Sequence, residues 1–142
     1  MCNYFVDKYE GEHLQAYKCP AGIWTIGQGI TVYPDGSPVK EGDIITEEYS
    51  RALTTDYFLH NIDPVIAKMG KGFTKRQKDS LGSLIFNIGA NAFKKSNLYT
   101  AIMNDDVKGI FKNWDWIGAG GKVLKGLAKR RAEELSWFLE DL

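Results

Sequence analysis

Apolar and polar residues alternate with two different periods along this chain, and the period changes near Thr46. Between residues 14 and 33 the period is two, which is typical of half-buried strands. The sequence Pro-Ala-Gly at 20–22 predicts a turn between strands 14–18 and 24–30. This part of the chain therefore predicts a small antiparallel hairpin patch.

The segments before and after the predicted hairpin have helical periodicity and helix-capping residues. Asn3 precedes a short apolar stripe that ends at Gly11, and Thr74 with Gln77 forms a capping box. Pro64 cannot donate a backbone hydrogen bond, so a break is expected near Asn61 to Pro64. The predicted helices are 3–10, 46–68 with that break, 74–88, 91–94, 97–104, 106–113 and 126–140. The fold class predicted is α+β, mainly helical.

Composition narrows the class of protein. The 142 residues suit one domain, and 44% hydrophobic with 13% aromatic residues is too apolar for a disordered chain. Lysine plus arginine and aspartate plus glutamate both number 18, which argues against a polybasic nucleic-acid binder. The only cysteines are Cys2 and Cys19, and the only histidines are His13 and His60. These counts exclude a disulfide scaffold and a Cys-rich or His-built metal site.

Charge is unevenly distributed along the chain. Residues 1–66 carry ten acidic and four basic side chains, a net charge of −6, and residues 67–142 carry the opposite, +6. A basic C-terminal half fits either an anionic polymer or a solvated mixed-charge surface. The first residues contain acids and lack the apolar run of an export signal, and no run approaches a membrane span. We expect the chain to remain in the cytoplasm after synthesis.

Glu10 is the acidic residue with the clearest chemical potential. It lies in the last turn of the first predicted helix, beside the apolar stripe. The negative end of the helix dipole and partial burial both favour the protonated carboxylic acid. A general acid that works near neutral pH needs that form. A helix-end residue without a catalytic role is the alternative interpretation of this pattern.

A second candidate group lies on the hairpin. Thr25 shares a strand face with Gly27 and Gly29, and glycines in a strand often mark close approach of a ligand to the backbone. A bulge or strong twist is the structural alternative. A tight turn would bring Cys19 close to Thr25, although a single cysteine is usually a buried structural residue.

These residues resemble a known family. The stretch EGEHLQAYKCPAGIWTIGQGITVYPDGSPVKEGDIITEE is similar to the catalytic N-terminus of phage-type lysozymes, the endolysin muramidases. Their signature is Glu, eight residues, Asp or Cys, five residues and Thr, and here it falls on Glu10, Cys19 and Thr25. The segments FNIGANAFKKSNLYTAIMNDD and GGKVLKGLAKRRAEE extend the resemblance over roughly residues 5–138. One departure is Ile30, where members commonly have His.

The resemblance implies a single lysozyme domain over residues 1–142, with an active-site cleft between two lobes. A hairpin lobe would span about 12–45, and a helical lobe about 46–142 plus the N-terminal helix. The implied activity is hydrolysis of the β-1,4 bond between N-acetylmuramic acid and N-acetylglucosamine in peptidoglycan, without a cofactor. Glu10 would protonate the leaving oxygen, and Cys19 and Thr25 would position the attacking water. Cys19 as a weak base or a covalent nucleophile remains open.

Other site residues follow from the same resemblance. Gly27, Gly29 and Asn87 are expected to contact substrate, and a capping amide is the alternative for Asn87. Arg130 and Arg131 match an arginine pair, from which we expect one structural and one substrate-binding residue. Trp114 and Trp116 could stack on sugars, but their spacing is more typical of aromatic residues in a hydrophobic core. A Cys2–Cys19 disulfide that blocks the site is a further hypothesis implied by some relatives.

The expected biological role is phage endolysin in host lysis. The protein would be a monomer that binds neither nucleic acid nor membrane, and a holin would release it to the peptidoglycan in the periplasm. A lytic transglycosylase is the alternative among enzymes. A peptidoglycan-binding module weakened in catalysis through Cys19 is the alternative outside them.

Overall fold

The computed structural model describes residues 3–114 and 125–142. The contacts within the chain divide it into two compact units, Met1–His60 and Asn61–Leu142. The boundary between them falls within a π-helical turn. The strands are β1 (His13–Lys18) and β2 (Trp24–Gly27). The helices are α1 (Tyr4–Tyr9), α2 (Glu47–Tyr57), α3 (Asp63–Lys68), α4 (Lys75–Ile88), α5 (Ala90–Lys94), α6 (Asn97–Met103), α7 (Val107–Asn113) and α8 (Lys125–Glu140), with the π-helical turn at Phe58–Ile62. A mainly helical α+β fold with a small antiparallel hairpin is confirmed, while the predicted lobe boundaries stay a prediction.

The hairpin of the first unit is shorter than predicted. β1 and β2 pair antiparallel, with Tyr17 opposite Thr25. The predicted strand 24–30 ends at Gly27, because Gly27 adopts a positive φ of 64° and turns the backbone. Ile26 and Ile30 then exchange two backbone hydrogen bonds, each 2.9 Å long. The prediction of a continuous strand beyond Gly27 was therefore wrong.

A buried glutamine connects the hairpin to both helices of its unit. The Gln28 Nε2 atom donates to Asp7 Oδ1 on α1 at 2.8 Å. The Thr54 hydroxyl of α2 donates to Gln28 Oε1 at 2.7 Å. Gln28 is only 3% exposed, so these bonds satisfy polar atoms that burial would otherwise penalise. The loop after β2 is thereby held against the helix that carries Glu10.

The predicted long helix 46–68 has the expected cap and the expected break. The Thr46 hydroxyl accepts from the Tyr49 N–H at 3.1 Å and begins α2. The helix then widens into the π-helical turn, and Pro64 lies in the first turn of α3. Proline fits that position because its missing N–H would have no partner within the helix there. Both predictions for this segment are confirmed.

The second unit is built around the packing of α8 on α4. The capping box at Thr74 and Gln77 begins α4 as predicted, and the predicted helices from 91 to 113 are confirmed within a residue of their bounds. The buried apolar side chains come from these helices and include Leu81, Leu84, Ile85, Leu98, Ile102, Ile110 and Phe138.

A buried carboxylate joins the two long helices. Glu134 on α8 has no exposed surface. Arg131 Nε lies 2.9 Å from Glu134 Oε1, and Arg130 Nε lies 3.2 Å from Oε2. The Ser83 hydroxyl of α4 donates a short hydrogen bond to the same carboxylate. Burial raises the pKa of Glu134 and the two arginines oppose that rise, so the ion cluster stabilises α8 only while it is complete.

Over residues 3–114 and 125–142, no helix combines the length and apolar character required to cross a membrane.

Replacing Glu134 with Gln removes the charge between two buried guanidinium groups. We expect the free energy of unfolding to fall by about 3 kcal/mol or more, because partners of a broken buried ion pair stay desolvated. Glu140→Gln is the matched control, since the Arg76–Glu140 pair is half exposed and should contribute less than about 1 kcal/mol. Denaturant unfolding measures both, and equal losses would contradict the assignment.

Candidate active site

Glu10 is placed by the end of α1. It is the C-cap residue, and its N–H donates to the Val6 carbonyl at 3.0 Å. Gly11 follows with a φ of +70°, a conformation that favours glycine, and turns the chain toward β1. The Asn3 side chain caps the other end by accepting from the Phe5 and Val6 N–H groups. Glu10 is half-buried, as its position beside the apolar stripe predicted.

Cys19 lies in the turn between the two strands. Its N–H donates to the Ile23 carbonyl at 3.0 Å, and its carbonyl accepts from the Gly22 N–H at 2.8 Å. Gly22 has a φ of +79°, which closes this short turn. The thiol is half-buried. The turn thus fixes the sulfur at the hairpin end where β2 brings Thr25.

The turn also makes the thiol more acidic. Backbone N–H groups of Ile23 and Ala21 donate to the sulfur and lower the pKa of Cys19. Desolvation opposes this effect, and the Thr25 hydroxyl adds a further hydrogen bond that lowers the pKa. N–H donors favour the charged form of an acid because they stabilise its anion. The thiolate fraction at a given pH therefore exceeds that of a free cysteine.

Thr25 is the buried partner of this thiol. It is 4% exposed, and its hydroxyl donates to the Ile23 carbonyl at 2.9 Å. Because a hydroxyl has one hydrogen, donation to the sulfur requires it to turn away from that carbonyl. Thr25 and Cys19 are therefore coupled through the same turn, as the Glu, Cys and Thr spacing predicted.

Tyr17 is a residue of this site that the sequence reasoning missed. It lies on β1 opposite Thr25. Burial raises the pKa of Tyr17, and the negative charges of Cys19 and Glu10 raise it further. Because the Thr25 hydroxyl and the Cys19 N–H both donate to the Ile23 carbonyl, the pairing with Thr25 places Tyr17 beside the turn that holds Cys19. The cross-turn pairing of strands 14–18 and 24–30 was the signal that could have found Tyr17.

A family model described as phage lysozyme matches residues 7–134. This match spans Glu10, Cys19 and Thr25 and most of the chain. The chain belongs to the phage lysozyme family. It is a glycoside hydrolase, and peptidoglycan is its substrate, as the resemblance implied.

Relatives of this lysozyme share its full extent. An endolysin of Salmonella phage P22 is 40% identical over 130 residues, which are 92% of this chain and 89% of the relative. An endolysin of Acyrthosiphon pisum secondary endosymbiont phage 1 is 34% identical over 94% and 91% of the two chains. A SAR-endolysin of Enterobacteria phage P21 is 30% identical over 90% and 76%. The crystal structure of a mutant P22 lysozyme superposes with a TM-score of 0.76 at 32% identity, covering 95% and 92%.

The arginine pair of the lysozyme lies inside the second unit. Arg130 and Arg131 are both buried, 3% and 2% exposed, and both contact Glu134. Arg130 also donates to the Ser83 carbonyl at 3.1 Å. Guanidinium groups that are held this way cannot reach peptide-stem carboxylates at the surface. We therefore correct the expectation that one of them binds substrate and assign both to the core.

Asn87 and the two strand glycines have different surroundings. Asn87 is exposed in the last turn of α4 and stays a predicted substrate contact. Gly29 is exposed with a φ of +99° and also stays one. Gly27 is buried, and a Cβ there would meet Ser50 Oγ at 3.0 Å. The space beside Gly27 is filled by α2, so we assign its missing side chain to packing instead of saccharide approach.

The remaining residues of the sequence predictions lie either in the hydrophobic core or outside the described residues. Trp114 is buried and packs on Phe138 with ring centroids 5.2 Å apart, which confirms the core interpretation. Ile30, at the position where relatives commonly have His, is buried as well. Trp116 and Cys2 lie outside the described residues, so the Cys2–Cys19 disulfide stays a hypothesis. Within residues 3–114 and 125–142, no three His, Cys, Asp or Glu side chains form a metal cluster.

The acidity of the thiol gives a direct test of the turn. In a Cys2→Ser background, we expect alkylation of Cys19 by iodoacetamide to reach half its maximal rate at a lower pH than a cysteine peptide. Thr25→Val should move this midpoint back upward, because the thiolate loses one hydrogen bond. Rates measured between about pH 5 and 10 decide the point, since this range brackets the titration of an ordinary thiol. A midpoint at or above that of the peptide would contradict the turn geometry.

Proposed function

We propose that Glu10 is the general acid of this lysozyme and that Cys19 and Thr25 position the attacking water. The bond cleaved is the β-1,4 linkage between N-acetylmuramic acid and N-acetylglucosamine. The observation that carries the proposal is the turn in which the Cys19 N–H and the Thr25 hydroxyl both donate to the Ile23 carbonyl, at 3.0 and 2.9 Å, so that the two proposed water-positioning residues lie side by side. A carboxyl group and a second polar group that flank one point are the arrangement that glycoside hydrolysis requires.

The first half of the reaction belongs to Glu10. Its carboxylic acid donates a proton to the glycosidic oxygen while the bond from that oxygen to the anomeric carbon breaks. The leaving sugar departs with a hydroxyl group, and positive charge develops on the other ring. The half-buried position of Glu10 limits competition from bulk water, which strengthens interactions with this developing charge.

The second half needs a water molecule with a free lone pair. The hydrogen of Thr25 is used by the Ile23 carbonyl or by Cys19, so the hydroxyl oxygen acts toward water as an acceptor. The sulfur of Cys19 is a second acceptor, and the lowered pKa of its thiol favours this role. A water that donates to both presents its lone pair to the anomeric carbon, and it passes a proton to the sulfur of Cys19 as the new C–O bond forms. Water bound opposite the general acid gives inversion.

Cys19 as a covalent nucleophile is the alternative mechanism. It predicts a thioglycoside intermediate and retention of configuration. Hydrogen bonds from Ile23, Ala21 and Thr25 lower the pKa of Cys19 because they stabilise negative charge on the sulfur. They favour a sulfur that accepts hydrogen bonds over one that attacks carbon.

The cellular setting is part of the proposal. The lysozyme accumulates in the host cytoplasm as a monomeric endolysin, and a holin releases it to peptidoglycan in the periplasm. The similarity to endolysins along the chain supports this role. A relative named SAR-endolysin makes release without a holin the competing route, and lysis timing with and without a coexpressed holin distinguishes the two.

Glu10→Gln is the principal test of the mechanism. The amide keeps the shape of the side chain and cannot donate a proton as an acid, so we expect cleavage of purified peptidoglycan to fall by about 10²- to 10⁴-fold. Turbidity clearance gives the rate. Near wild-type activity in this variant would refute the role of Glu10.

Mass spectrometry of the wild-type products separates the remaining enzyme classes. Hydrolysis adds one water to each cleaved linkage, and a lytic transglycosylase leaves an anhydro-sugar without it. A binding module would sediment with peptidoglycan and leave turbidity unchanged.

Cys19→Asp and Cys19→Ser form a matched pair for the second group. Aspartate, which the family signature also allows at this position, can accept from the same N–H donors, so we expect activity within about tenfold of the wild type. Serine is close in size to cysteine but neutral at working pH, and we expect a loss of about 10- to 100-fold. Initial rates on the same peptidoglycan measure both. Equal activity of the two variants would contradict an anionic acceptor.

A further inference from the structure

One face of the hairpin carries Tyr17 beside Thr25. The two residues are cross-strand partners, so their side chains project from the same side of the sheet. The next pair, Lys18 and Trp24, projects from the opposite side, where the Lys18 Nζ atom lies 5.4 Å from the Trp24 ring centroid. Thr25 and the Cys19 N–H donate to the same Ile23 carbonyl, so the face with Tyr17 and Thr25 borders the turn that holds Cys19.

The phenol of Tyr17 keeps its hydrogen where the lysozyme works. Burial raises the pKa of Tyr17, and the charges of Cys19 and Glu10 act in the same direction. Since Tyr17 pairs with Thr25 across the two strands, its side chain lies on the face of the hairpin that carries one of the proposed water-positioning groups.

The other polar groups of the site cannot supply this hydrogen bond. In the proposed mechanism Glu10 gives its proton to the leaving oxygen, and the sulfur of Cys19 accepts from the attacking water. The single hydrogen of Thr25 is directed to the Ile23 carbonyl or to the sulfur. Of these four side chains, Tyr17 is the one with a hydrogen available for an oxygen of the saccharide.

We propose that the Tyr17 hydroxyl donates a hydrogen bond to a hydroxyl or carbonyl oxygen of the saccharide at the point of cleavage. This role makes Tyr17 a catalytic residue that binds substrate, and it rests on the proposed functions of Glu10 and Cys19. The ring is held by His13, with ring centroids 4.3 Å apart and an angle of 47° between the planes. That contact orients the hydroxyl before substrate arrives.

Tyr17→Phe tests the hydroxyl alone, because phenylalanine keeps the ring contact with His13. We expect kcat/KM on a soluble peptidoglycan oligosaccharide to fall by about 10- to 100-fold, since a saccharide oxygen would be left unsatisfied. Tyr33→Phe is the control in the same unit. The Tyr33 hydroxyl donates to Asp43 Oδ2 at 2.8 Å, away from the proposed chemistry, and kcat/KM should stay within about twofold.

Binding measurements separate this proposal from the proposed function. In the Glu10→Gln background, adding Tyr17→Phe should weaken oligosaccharide affinity in calorimetry. An active Glu10→Gln enzyme would overturn the proposed function. The role of Tyr17 alone would be overturned by a different pair of results. In that case Glu10→Gln is inactive, but Tyr17→Phe changes neither kcat/KM nor the oligosaccharide affinity.

A pH profile distinguishes hydrogen-bond donation from a structural role. Incorporating 2,3,5-trifluorotyrosine at position 17 keeps the side-chain shape and makes the phenol more acidic. His13, Cys19 and Glu10 are the titratable groups that face it, and they are the same in both proteins. We expect the alkaline loss of activity to begin at lower pH than in the wild type. Coincident alkaline limbs would overturn the proposal.

Discussion

The pairing register of one short hairpin determines which side chains lie beside Cys19 and Thr25, the proposed water-positioning groups. With Tyr17 opposite Thr25, the turn closes through Cys19 and Ile23, and the phenol, thiol and hydroxyl share a neighbourhood. A slip of one residue would exchange the two faces of the sheet and direct Lys18 and Trp24 toward the proposed catalytic groups. The buried bonds of Gln28 to Asp7 and Thr54 hold the loop after β2, and with it the helix that ends at Glu10.

Local sequence signals predicted most of the elements because their causes are local. Caps at Asn3, Thr46 and Thr74 and the restriction imposed by Pro64 each act within one helical turn. The end of β2 was missed for a different reason. Glycine at position 27 fits both a strand and a turn, and the choice depends on packing against Ser50, which lies on a helix well separated from it in the sequence.

In the candidate site, too, the features with local causes could be predicted from the sequence. The spacing of Glu10, Cys19 and Thr25 identified the family signature, since spacing is a property of sequence. The arginine pair was misassigned in part because a charged residue is usually exposed, and nothing local marks Glu134 as the buried carboxylate that binds both. The acidity of the Cys19 thiol was equally inaccessible, because it arises from backbone N–H groups whose direction depends on the folded turn.

The carbonyl of Ile23 accepts two hydrogen bonds, one from the Cys19 N–H and one from the Thr25 hydroxyl. If the hydroxyl rotates toward an ionised sulfur, the carbonyl still keeps its backbone donor. The rotation therefore leaves the Ile23 carbonyl with a hydrogen-bond donor. The Thr25 hydroxyl can respond to the charge of Cys19 at little energetic cost. Proton transfer at the sulfur can then be accommodated by one side-chain torsion, while the polypeptide around it stays fixed.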